Sequence, residues 1–237
     1  MTQKESRRGF LVKMGLLAAG TVLGGTALVR SALKKDRVEQ IYDVVKKTSQ
    51  SGMSLRPCID QKGQMRTGFG CVVRADDFVR MGVFEAPTRG SNAYPFDGNK
   101  RDLYQEIIRD NQPGRNQTYS FDAGSIRQHT MNYIRAVEPE IERMVPNYKK
   151  LPVKAQGLLV QTHLKTDGRL MDYPKLCAAF NRFDFNVAEK DMALKSAINL
   201  YDSHFSLDKI NNARMGVLKE IQTEHAKMRQ NALAGGR

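Results

Sequence analysis

Tryptophan is absent from the 237 residues, cysteine occurs three times and histidine four times. Without indole rings, any sugar-stacking surface would fall to tyrosines such as Tyr94, Tyr104 and Tyr119. His129, His163, His204 and His225 are scattered singly, and neither a CxxC nor an HxxxH pattern occurs, so no metal site and no cofactor are expected. Cys58 and Cys71 flank a glycine-rich stretch, where they are compatible with a disulfide formed after export; three separate, partly buried thiols are the other reading. No repeat with a period of about 20–50 residues is present, which excludes solenoids. Nucleic-acid-binding signatures are also lacking, so the net charge of +13 is not read as a nucleic-acid footprint.

The charge is unevenly placed. Residues 1–35 carry +6, leaving +7 for the other 202. Within that basic segment, Ser6-Arg7-Arg8-Gly9-Phe10-Leu11-Val12-Lys13 resembles the twin-arginine export motif, with its lysine one place late. Met14–Val29 follows, sixteen residues without a charge. That run is short for a spanning helix but suits a signal or signal-anchor. Residues 1–13 and 30–35 each sum to +3, so charge asymmetry does not orient it. No clean A-x-A cleavage site follows, which favours an uncleaved anchor. The expected location is the outer face of the inner membrane, in the cell envelope, with residues 14–29 in the membrane.

Beyond residue 30, hydrophobic content of 41% with 27% charged residues suits a globular domain. Val38, Ile41, Val45 and Thr48 recur at helical spacing and predict an amphipathic helix over 33–48. Next comes Gly52–Gly70, reading GMSLRPCIDQKGQMRTGFG. Glycines at 63, 68 and 70 permit the positive φ of tight hairpins, and the apolar pieces between them read as short strands. Residues 74–122 hold Pro87, Gly90, Pro95, Gly98, Pro113 and Gly114, and read as a loop-rich insertion with one short helix, Asp102–Arg109. From Ser125 to about Gln222 helical periodicity dominates, with Pro139 expected to open a new helix and Leu158–Leu164 expected to form a buried central one. Glu138, Glu140 and Glu142 read as solvated acids near a helix start. Residues 231–237 read as a flexible tail.

The hairpin resembles the active-site hairpin of phage-type lysozymes, the muramidases that cleave peptidoglycan. Gly52, Leu55, Asp60, Gly63, Gly68 and Gly70 fall on that family's pattern without a gap. Ser51 stands where the family has its general-acid Glu, Cys58 where it has Tyr, Arg66 where it has Thr and Cys71 where it has His. The later order of Leu151-Pro152, Ala155–Leu164, Asp167-Gly168 and Asn212-Ala213-Arg214 is similar to the family's helical half. The likeness covers about residues 38–225.

It implies an α+β, mainly helical fold over 31–230, a small β-hairpin sheet beside a helical lobe, preceded by the signal or anchor at 1–30. The resemblance makes Asp60 and Thr67 the catalytic candidates and Arg66, Gly68 and Gly70 the substrate-binding ones. Peptidoglycan strands are the expected partner, with an envelope protein as a further one. Hydrolysis needs a proton donor paired with a second carboxylate, and Ser51 cannot donate a proton at neutral pH. Loss of a general acid costs about 10²–10⁴ in rate. Two readings follow: a muramidase-like hydrolase with a rearranged acid, or a non-catalytic lysozyme-like fold that binds glycan or a protein partner.

Overall fold

The computed structural model describes residues 36–49, 54–60, 62–85, 93–110, 118–194 and 206–234. Ser51 and the anchor at 14–29 lie outside the described residues. The chain divides into Met1–Asp36 and Arg37–Arg237, and all elements below belong to the second unit.

Helix α1 (Arg37–Thr48) buries Val38, Ile41, Val45 and Thr48, the positions its periodicity indicates. Strands β1 (Ser54–Ile59), β2 (Met65–Gly68) and β3 (Cys71–Val72) follow as an antiparallel sheet in the order β1-β2-β3. Cys58 pairs with Arg66 and Ile59 with Met65, and an irregularity separates these from the Ser54–Gly68 pair. Gly63, Gly68 and Gly70 take φ of 73°, 63° and 106°, the conformations the hairpin requires of them. At Gly68 a Cβ would also sit 2.7 Å from Ile126 Cγ2. The register keeps Cys58 and Cys71 apart. They lie on strands separated by β2, roughly 10 Å at the usual strand spacing, beyond the reach of a disulfide. None of the three cysteines forms a disulfide, and Cys71 and Cys177 are buried.

The stretch read as a loop-rich insertion is more ordered than its sequence suggests. It carries α2 (Ala75–Arg80), β4 (Val83–Glu85), β5 (Tyr94–Pro95), α3 (Lys100–Asp110) and β6 (Tyr119–Phe121), with a second sheet in the order β5-β4-β6. Its elements close over their own apolar cluster, in which Phe78 meets Tyr104 and Phe121 edge-on, each at 5.5 Å between ring centroids. Strands of two or three residues leave no readable alternation, so periodicity misses them.

Helix α4 (Ala123–Met144) starts at an Asp122 cap whose carboxylate accepts from Ser125 N at 2.7 Å. It runs straight through Pro139, where a helix start was expected. Packing of Ile134, Val137 and Ile141 on both sides of the proline outweighs one lost backbone bond. Glu138 therefore lies mid-helix. Its carboxylate is 12% exposed and accepts from Arg37 at 2.5 and 2.6 Å, rather than being solvated at a helix start.

Helix α5 (Val153–Lys165) is the centre of the larger core, and every residue from Ala155 to Lys165 is buried. Short helices α6 (Pro174–Asn181) and α7 (Phe185–Asp191) and the long α8 (Leu207–Ala234) complete the lobe. A Cβ on Gly157 would lie 2.5 Å from Val44 Cβ, so α1 and α5 approach closely where glycine stands. The fully buried Arg214 of α8 ties that helix to α5, donating to Thr162 Oγ1 at 2.8 Å and to Gln161. The result is a mainly helical α+β fold with small antiparallel sheets.

Candidate ligand groove

Asp60 follows β1 directly and anchors the hairpin tip. Its Oδ1 accepts from Lys62 N at 2.8 Å and Gln64 N at 2.9 Å, and its Oδ2 accepts from Arg66 Nε at 2.6 Å. These bonds follow from the local sequence, because an aspartate readily caps backbone N–H groups two to four residues onward. Arg66 pairs across from Cys58, and its guanidinium continues past Asp60. It donates to Gly70 O at 2.9 Å, Gln64 Oε1 at 3.2 Å and Asp167 Oδ1 at 2.7 Å. Asp167, just past the end of α5, also pairs with Lys62. A buried guanidinium thus bridges two carboxylates and joins the hairpin to the helical lobe.

Burial opposes the charge on Arg66, but the bonds to Asp167 and Asp60 outweigh it and raise its pKa. Burial likewise pushes the Asp167 carboxyl up, and Lys62 and Arg66 more than reverse that, holding it below the usual range.

Beside this bridge runs a groove of about 790 Å³. One wall is the hairpin, with Gly63, Gln64 and Arg66, and the start of α2 at Asp77. The insertion supplies Tyr104, whose hydroxyl donates to Val73 O at 3.2 Å. The opposite wall is α4 and the end of α5, with Ala136, Tyr133, His163 and Asp167. The Tyr133 hydroxyl is 2.9 Å from His163 Nδ1, and burial pushes its pKa far up, so the phenol stays protonated. Glu140 Oε2 lies 3.3 Å from His163 Nε2 without hydrogen-bond geometry.

Of the candidate residues, Arg66 lines the groove. Asp60 lies beneath it, 2% exposed, which differs from the expectation of an acid beside an open groove. Its partners account for this: Arg66 Nε takes Oδ2, and the Lys62 and Gln64 N–H groups take Oδ1. Thr67 is 1% exposed and its hydroxyl donates to Ser54 O at 3.3 Å, so it holds β1 to β2. Gly68 and Gly70 shape the turn through positive φ, and Gly70 presents its carbonyl to Arg66. Asp167, Tyr133 and His163 were missed in the sequence. Asp167 follows Arg66 by 101 residues, and no local pattern announces a pairing at that distance.

Acid catalysis needs a carboxyl held protonated by its surroundings. Among the described residues the carboxyls with a resolved shift, Asp167 and Glu220, are both lowered by basic partners. A further buried base lies beneath the hairpin: Lys165 Nζ donates to Phe69 O at 2.8 Å, and burial lowers its pKa to about 8.

Among the described residues, no group of three or more His, Cys, Asp or Glu is placed to hold a metal, and no helix is long and apolar enough to cross a membrane. Comparison with protein families, curated proteins and solved structures finds no match for the chain.

Proposed function

We propose that the chain is an envelope-located, lysozyme-like module that binds peptidoglycan glycan strands in this groove without hydrolysing them efficiently. One observation carries the reading. The aspartate on the hairpin that resembles the muramidase active site is buried under Arg66, in a bridge that extends to Asp167. The groove offers amides, tyrosines and imidazoles for a hydroxyl- and amide-rich ligand, as polysaccharide sites do. Among the described residues lining it, Asp167 is the carboxyl with a resolved shift, and Lys62 and Arg66 hold it below the usual range rather than poised to protonate a glycosidic oxygen. The +7 borne by residues 36–237 favours an anionic wall. The basic, charge-free-centred N-terminal segment supports export and tethering through residues 14–29.

Ala136 is exposed and lines the groove, so Ala136→Trp fills the groove without touching the core. Co-sedimentation of the full chain with purified peptidoglycan should show retention of the native protein and at least about tenfold weaker retention of Ala136→Trp. Circular dichroism should show unchanged stability. Equal retention of both proteins would move the ligand away from this groove.

A further inference from the structure

A second hollow, of about 380 Å³, lies between the α6–α7 turn and α8. Arg182, His225 and Arg229 line it, with Phe183 and Phe185. His225 and Arg229 are four residues apart on one helix and so share a face. The Phe185 and His225 rings meet edge-on at 5.2 Å. The polar neighbours are already engaged. Asp184 Oδ1 accepts from Val187 N at 3.1 Å, capping α7. Gln222 Nε2 donates to Phe185 O at 3.1 Å and to Glu189 Oε2 at 3.0 Å. The Arg182 and Arg229 guanidiniums make no ion pair or side-chain hydrogen bond among the described residues.

Two guanidiniums, unpaired among the described residues, outnumber the one lining carboxylate, Asp184, which caps α7, and with the imidazole they make a receptor for negative charge. We propose that this hollow binds a phosphate-class anion, independently of the groove. Guanidinium forks match phosphate oxygens in pairs, and two such forks beside an imidazole that can hydrogen-bond offer more partners than a single carboxylate uses. The volume exceeds that of a bare phosphate and leaves room beside the two phenylalanines for a larger body that carries the phosphate. That phosphate belongs either to a soluble phosphomonoester or to a lipid headgroup.

The test is titration calorimetry of the full chain with inorganic phosphate and, separately, acetate, with Arg182→Ala, Arg229→Ala and Lys227→Ala as variants. Lys227 is an exposed cation of α8 outside the lining. Phosphate should saturate one site and bind more tightly than acetate. Each arginine variant should weaken it about fivefold or more, and Lys227→Ala less than about twofold. Absence of saturable binding, or an equal loss in Lys227→Ala, would overturn the site in favour of diffuse surface charge. Vesicles containing phosphatidic acid, whose headgroup is a phosphomonoester, compared with vesicles of phosphatidylcholine alone, then separate the sources. Extra binding to phosphatidic acid that inorganic phosphate competes away and Arg182→Ala removes assigns a lipid headgroup; equal binding to both vesicles assigns a soluble phosphate.

Discussion

Arg66→Met should lower the unfolding free energy by about 3–5 kcal/mol, a fall in Tm on the order of 10 °C, because it leaves Asp60 charged and buried without its cation. Asp60 is 2% exposed and Arg66 equally so, so solvent cannot replace the missing partner. Two backbone N–H groups still reach Oδ1, but Oδ2 loses Arg66 Nε. Adding Asp60→Asn to Arg66→Met should recover a large part of the loss, since the double variant buries no uncompensated charge while an amide oxygen keeps the cap. Denaturant unfolding of the two single variants and the double measures this coupling. Additive effects would mean that the pair does not act as a unit.

Lys165→Met should have the opposite sign at neutral pH. The Lys165 pKa falls from 10.5 in the unfolded chain to about 8 when folded, because burial disfavours the ammonium. Between those values the unfolded state binds more protons, so this group's contribution to stability rises with pH from about 8 to 10.5 and is unfavourable in full below about 8. Two and a half pKa units correspond to about 3 kcal/mol. Removing the amine relieves that penalty and forfeits its own interactions, the bond to Phe69 O among them, worth about 1–2 kcal/mol together. The variant should therefore be more stable than the native chain by about 1–2 kcal/mol at pH 7, with the advantage gone near pH 10. Cys177, whose thiol burial pushes up to about 11, titrates in both proteins and cancels in the difference; Cys71, which burial also pushes up to about 11 and the Lys165 charge holds down, moves further up in the variant and stays protonated at pH 10 in both folded proteins. Denaturant midpoints at pH 7 and pH 10 check it; a pH-independent difference would show that Lys165 is not the group responsible.

How much could be read beforehand depended on the range of each interaction. The α1 periodicity, the three hairpin glycines and the buried run of α5 are dictated by neighbours in sequence, and the structure places each as its pattern indicates. Asp60 was visible as a turn-capable acid, and its capping bonds to residues 62 and 64 are local. What covers it was not visible. The bridge needs Asp167, brought in by the end of α5, and nothing near Arg66 in sequence marks that partner. Pro139 misled because helix rules weigh a proline locally, whereas α4 is held by its packed face. The insertion misled because its apolar residues serve a cluster assembled from Ile59 to Ile126, not a periodic face.

The most direct test of the account is the release of reducing ends from purified peptidoglycan by the full native chain. The account predicts that the chain co-sediments with the wall while releasing reducing ends at least about 10²-fold more slowly than an active muramidase. Robust release by the native protein, undiminished in Asp60→Ala, would contradict it and place a working active site elsewhere in the chain.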